Sequence, residues 1–346
     1  MGGGSTLTQV TDGQVPPWVG GLVICGVVLT YVTYGGMRGT VWVNVFQTLV
    51  LLVLGLVAFT TIVTKIGGLG EAMARVAAVQ PDLLAREGHI QPLELLSYTL
   101  IPLSVGMFPH MFVHWLTARS ASAFRPTLIL YPLCVAVVWA PSVILGVLAR
   151  ADFPELGPAA ANSILIQMID RYAPGVLAGL LAAGVFAAIM NSFDSQVLSV
   201  GTMFTQDIVR HYGFHDRMSE RTQIVVGRLF MVAILVATYL LSLITNRSIF
   251  KLGVWCFTGF AALLPVVVAA VFWERSTKWG AFASTVSVVI LWIYFVGRGA
   301  TTIGDSGIMP VAVMLVVSAA AMVIGSLLTR PPDRETLDKF FPRRAA

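Results

Sequence analysis

Asn191, Ser192, Asp194, Ser195 and Gln196 stand together near the middle of an otherwise apolar run, Gly175 to Phe204. Residues three and four apart share a helix face. Asn191, Asp194 and Ser195 therefore line up, and so do Ala188, Ser192 and Ser195. Gly184, Ala187 and Ala188 place small residues just before them, which lets a neighbouring backbone come close. Carbonyl, hydroxyl and carboxylate oxygens beside a tight helix contact are what a hard alkali cation binds. Hydrogen bonding between helices is the plain alternative, and it would suffice for the serines. Asp194 weighs against it, because a charge at the centre of a spanning helix costs about 2.5–3.5 kcal/mol on insertion scales. An alkali cation or a proton is the expected partner of this carboxylate.

The second stretch able to do chemistry is SYTLIPLSVGMFPHMFVHW, Ser97 to Trp115. Pro102 and Pro109 each remove a backbone donor, and Gly106 lowers helix propensity between them. A helix broken inside a membrane exposes carbonyls and amides that can hold a solute, so Gly106, Pro109, His110 and His114 are candidate solute contacts. A packing kink explains the prolines equally well. His110 and His114, at i and i+4, could meet one metal. Met111 stands where a zinc peptidase needs glutamate, and no carboxylate ligand lies nearby, so no transition-metal site is expected there.

Elements of bilayer length must position these groups. Hydrophobic residues make up 57% of the 346-residue chain and charged residues 11%, against roughly a quarter charged in soluble domains. About 20 apolar residues cross a bilayer core. Nine segments qualify, near 17–36, 40–64, 98–117, 126–148, 175–206, 223–245, 249–273, 279–297 and 308–329. The connections 66–97 and 149–174 are longer, and each holds a candidate surface helix, Glu71 to Val79 and Ala159 to Tyr172. No basic stripe with interleaved aromatics marks a nucleic-acid partner. Cys25, Cys134 and Cys256 are odd in number and far apart, and they read as small apolar residues. Placing the Arg38 connection in the cytoplasm puts fourteen of the 22 Lys and Arg residues on that side, which also places the basic tail there.

At YGGMRGTVWVNVFQ, Tyr34 to Gln47, the chain resembles the sodium:solute symporter family. LAAGVFAAIMNSFDSQVLSVGTMFTQDIV, Leu181 to Val209, is similar to that family's helix carrying half of its sodium site. MFPHMFVHW is similar to the Pro-His stretch of its pantothenate- and monocarboxylate-type members. The resemblance covers about residues 17 to 275. It implies an all-α polytopic membrane protein with an inverted-repeat fold of five plus five helices. Residues 17–64 would be the last two helices of the first repeat, 98–273 the second repeat, 279–329 two peripheral helices and 330–346 a cytoplasmic tail of one transporter domain, 1–346. Three opening spans of the family's core are absent, so an N-terminally truncated symporter is expected, with Met1 internal to a longer reading frame. The family's sodium site would fall on the Ala188 carbonyl and the side chains of Asn191 and Ser192. A second sodium position in some members would fall on Asp194, Ser195 and Asn44, where the family has aspartate at the position of Asn44.

The implied function is sodium-coupled symport of a small polar solute, an organic acid for instance, across the cell membrane, or a fragment of such a transporter. Oligomeric state and solute identity are not specified. A membrane enzyme using His110, His114 and Asp194 is one alternative, and a scaffold without transport is another. Topology is directly testable. In a thiol-free background, cysteines introduced in the Arg86 loop should label from outside the cell, and cysteines near Arg344 should not. The reverse pattern overturns the orientation.

Overall fold

The computed structural model describes residues 1–85, 90–116, 118–155, 157, 161–212, 219–244 and 248–341, excepting the side chains of Met37, His114 and Glu220. Among them there are helices and no strands. Among the described residues, eight helical segments are long and apolar enough to cross a membrane. Their outward faces remain apolar: on the helix Arg125–Asp152, Leu128 and Ile129 are 76% and 73% exposed. A bilayer covers such surface, and water would not. The chain is a multi-pass membrane protein.

Two compact units divide the chain. The first, Met1–Ala85 with Val113–Ile249, holds α1 (Gly2–Val10), α2 (Pro17–Ile66) and α3 (Leu69–Val79). The second, Arg86–Phe112 with Phe250–Ala346, opens with α4 (Pro92–Tyr98). The helix α5 (Pro109–Leu116) crosses the division. The first unit continues with α6 (Arg125–Asp152), α7 (Ile164–Tyr172), α8 (Gly175–Met203) and α9 (Glu220–Ile244). The second is completed by α10 (Ile249–Ala261), α11 (Leu264–Phe272), α12 (Lys278–Arg298), α13 (Pro310–Leu328) and α14 (Arg334–Phe340).

In the first unit α2 runs alongside α8. One core joins Ala58, Ile62 and Ile66 of α2 to Leu145 and Leu148 of α6, Ile166 and Met168 of α7, and Leu181 of α8. A second joins Ile24, Val28 and Val32 of α2 to Val197 of α8 and to Met231 and Leu235 of α9. Gly184 permits the close approach: a Cβ there would stand 3.0 Å from Leu54. The connection expected as a loop at Arg38 is a single non-helical residue. Gly36 takes φ 54 and ψ −157, a left-handed conformation that glycine adopts without a steric penalty. It separates the span-length segments Pro17–Gly36 and Arg38–Ile66. The surface helices appear as α3 and α7, although Ala159 and Ala160 lie outside the described residues.

Eight candidate spans stand against the nine expected, and the difference is the segment 98–117. Ile101–Met107 is a 3₁₀ turn, and Phe108 is extended at φ −65, ψ 129 before α5 begins at Pro109. The ring of Pro109 drives the preceding residue out of the helical region, and Pro102 opens the tighter turn. Pro132 and Pro141, by contrast, lie inside the continuous helix α6.

The second unit is organised on α12 and α13. Ser284 and Ser318 hydroxyls meet at 2.8 Å, both side chains buried. Arg275 donates to the Ser326 and Thr329 carbonyls at the end of α13, at 2.7 and 2.8 Å, satisfying helix-terminal acceptors. At Gly280 a Cβ would lie 2.7 Å from the Met322 carbonyl oxygen and 2.1 Å from Ser326 Oγ. Gly280→Ala should therefore destabilise the protein by about 1–3 kcal/mol through overpacking. Gly297→Ala, where a Cβ would meet open space, should leave the melting temperature in detergent nearly unchanged. Equal melting temperatures for the two variants would contradict this packing.

Candidate functional site

The buried polar cluster of the first unit is assembled from two helices. Second-half residues Asn44, Gln47 and Thr48 of α2 share one face by their i, i+3, i+4 spacing. Asn191, Asp194 and Ser195 of α8 share a face by the same spacing. The two triads meet, and Tyr31 from the first half of α2 joins them.

Asp194 is the centre and is fully buried. The Tyr31 hydroxyl donates to its Oδ2 at 2.9 Å. The orientation of the Asn44 amide that satisfies its neighbours turns the nitrogen to Asp194, 3.0 and 2.9 Å from the two carboxylate oxygens. Ser195 Oγ then lies 2.6 Å from the Asn44 side-chain oxygen and 3.2 Å from Asp194 Oδ1, with one hydrogen to share between them. Asn191 Nδ2 donates to Thr48 Oγ1 at 2.8 Å and to the Asn44 backbone carbonyl at 3.4 Å. Gln47 is buried, and its Oε1 has no hydrogen-bond partner. The ion pairs among the described residues, Arg75–Glu71 and Arg171–Asp152, do not include Asp194. Three neutral donors surround this carboxylate, and no cationic side chain among the described residues pairs with it.

Of the expected ion-site residues, Asn44, Asn191, Asp194 and Ser195 are thus brought together. Ser192 is exposed and lines a different cavity of about 240 Å³ with Gly2, Cys25 and Tyr239. Ala188 is partly exposed. Tyr31, Gln47 and Thr48 were not among the candidates. The 44, 47, 48 spacing is a readable signal for two of them; Tyr31 sits in an apolar stretch and carries none.

The candidate solute contacts fall elsewhere. Gly106 lies in the 3₁₀ turn and Pro109 starts α5. The His110 ring stacks on Phe108 at 5.4 Å, and Phe108 meets Phe257 and Phe260 of α10 edge-on at 5.3 and 5.0 Å. The side chain of His114 lies outside the described residues. Among the described residues no group of three or more His, Cys, Asp or Glu side chains could hold a metal.

Membrane-length helices around a buried, oxygen-rich site define a polytopic membrane protein of the transporter type. The model of the sodium:solute symporter family matches residues 17–287, and the chain belongs to that family. It is 26% identical to the osmoregulated proline transporter OpuE of Bacillus subtilis, over 91% of this chain and 64% of that protein. It is 24% identical to the high-affinity proline transporter PutP of Bacillus subtilis, over 92% of this chain and 67% of the relative. It is 26% identical to the sodium/pantothenate symporter of Escherichia coli, over 94% and 67%. The chain thus spans about two thirds of the length of these relatives.

The donor arrangement gives a stability prediction. Tyr31→Phe removes a hydrogen bond to a buried carboxylate and should cost about 1.5–3 kcal/mol. Gln47→Leu replaces an unpartnered amide oxygen with apolar volume and should cost less than Tyr31→Phe in sodium-free buffer. Thermal unfolding of the purified chain compares them, and the opposite ranking would contradict the assigned bonds.

Proposed function

We propose that this protein serves sodium-coupled symport of a small polar solute, and that Asp194 is the anionic ligand of a sodium site between α2 and α8. The supporting observation is a fully buried carboxylate with no basic partner among the described residues, in a cluster that also holds the unpartnered Gln47 Oε1. An ionised group so buried requires compensation by a counter-charge or by directed donors. Asp194, Ser195, Asn191, Asn44 and Gln47 supply carboxylate, hydroxyl and amide oxygens, a donor set suited to a hard cation. Sodium is transported cargo here. The donors of Tyr31 and Asn44 hold the carboxylate while it has no cation, and a cation would draw the oxygens of both helices toward itself. Ion binding thereby couples to the fit of α2 against α8. Ala188, Asn191 and Ser192 remain the proposed position of the family's principal sodium site, although Ser192 lines a separate cavity.

The solute reading extends the names of the relatives. Proline and pantothenate both carry a carboxylate, so a small organic acid or amino acid is the proposed solute class. The break at Gly106–Pro109, with His110 and His114, is its proposed contact region. Residues 98–273 are proposed as one five-helix repeat and 17–64 as the end of the other, with the tail cytoplasmic. His110 and Asp194 are proposed to serve binding rather than catalysis.

The family's usual acid falls at the position of Asn44, and here an acid stands at 194, with the two side chains about 3 Å apart. We read this as a carboxylate supplied by the opposite helix of one site. The test uses sodium binding by the purified chain. Sodium chloride, against equal choline chloride, should raise its melting temperature in detergent. Asp194→Ser should abolish that shift, and adding Asn44→Asp should restore part of it. An unchanged sodium shift in Asp194→Ser would remove Asp194 from the site, and a lack of rescue would refute the exchange.

A further inference from the structure

A cavity of about 230 Å³ in the second unit lies outside everything assigned so far. Its wall is one face of α10, where Lys251, Trp255 and Thr258 recur at helical spacing. Glu94 and Tyr98, four apart on α4, line it as well, as does Met309 just before α13.

The walls are anchored. Ser97 Oγ accepts from the Met309 backbone N–H at 3.2 Å and donates to the Leu93 carbonyl at 2.7 Å, tying α4 to Met309. Trp292 Nε1 donates to the Trp255 carbonyl at 2.9 Å. Trp255, Thr258 and Met309 are all buried. The volume is therefore part of the fold, of the kind that small-molecule sites occupy.

Glu94 and Lys251 both line this space, and neither belongs to an ion pair among the described residues. Two opposite charges that share a cavity without neutralising each other are complementary to a molecule carrying both charges. The rings of Tyr98 and Trp255, which also line the cavity, favour the cationic end. We propose that this cavity binds a compact zwitterion, its ammonium on Glu94 and its anionic oxygens on Lys251, with Tyr98 and Trp255 against the short apolar part between. A free amino acid has this chemistry, and so does the ethanolamine phosphate headgroup of a lipid. The inference is independent of the sodium reading, because none of the cavity's residues belongs to the Asp194 cluster.

The experiment uses the purified chain in nanodiscs of phosphatidylglycerol alone, which offers no ammonium group, in sodium-free buffer. Each proteinogenic amino acid is titrated while the melting temperature is followed. At least one should stabilise the protein. Glu94→Gln and Lys251→Gln should each weaken its apparent affinity by about tenfold or more. Lys251→Arg should retain it, which separates loss of charge from loss of folding. The exchanged pair Glu94→Lys with Lys251→Glu should recover binding, since a zwitterion can turn round. In membranes containing phosphatidylethanolamine, retention of that lipid by the wild-type chain but not by Lys251→Gln would assign the site to a headgroup. If no amino acid stabilises the protein and no phosphatidylethanolamine is retained, the proposal is wrong. It is equally wrong if the two glutamine variants bind as the wild type does.

Discussion

One buried carboxylate constrains the first unit. Asp194 sits between two apolar helices, where an uncompensated charge would cost several kcal/mol. Its compensation consists of directed neutral donors from Tyr31, Asn44 and Ser195. Hydrogen bonds to an ionised group are short and strong, but only in a narrow geometry. That geometry demands close helices. Gly184 facing Leu54 supplies the approach on one side of the cluster, and the packing of Val28 and Val32 with Val197 supplies it on the other. The site and the helix contact are thus one structure, and moving either helix leaves Asp194 under-solvated.

The second unit answers the opposite problem, backbone polarity without a buried charge. A helix break in a membrane frees donors and acceptors that lipid cannot satisfy. In the 3₁₀ turn Ile101–Met107, Ile101 and Ser104 are buried while Pro102 and Leu103 are exposed, and Phe108 packs against Phe257 and Phe260. Where no such cover is needed, the helix continues: α6 carries two prolines without interruption, and many of its apolar side chains are exposed. Proline alone does not decide between kink and break. Pro102 and Pro109 stand seven residues apart with Gly106 between them, and that combination removes the donors and the helix propensity together.

The spans were legible because twenty apolar residues in a row have few other uses, and seven long segments fall close to their expected limits. The eighth pairing, 40–64, was legible too, but its junction was not. A charged Arg38 between two apolar runs reads as a loop, whereas the chain needs only the φ of Gly36 to end one helix and start another. In the site, Asn191, Asp194 and Ser195 announced themselves as polar groups in an apolar helix. Gln47 and Thr48 repeat that pattern on α2, but of the two only Gln47 falls in the family-like motif that ends there. Tyr31 could not be found by the same logic. A tyrosine in a span is ordinary, and nothing in its neighbours states that its hydroxyl reaches a carboxylate 163 positions away.

The pairing of an asparagine with an aspartate at this place has its own electrostatic logic. Two carboxylates about 3 Å apart would repel by roughly 5 kcal/mol even at an effective dielectric constant near 20. Two amides would leave the oxygen cluster neutral, with nothing to offset the dehydration of an entering cation. One acid and one amide is the intermediate solution: the amide nitrogen satisfies the carboxylate, and its oxygen accepts from Ser195. Either helix can supply the acid, because the hydrogen bonds cross the same gap in both arrangements. If the proposed sodium site is right, the number of charges between α2 and α8 is the constrained quantity, and either helix could carry the charge.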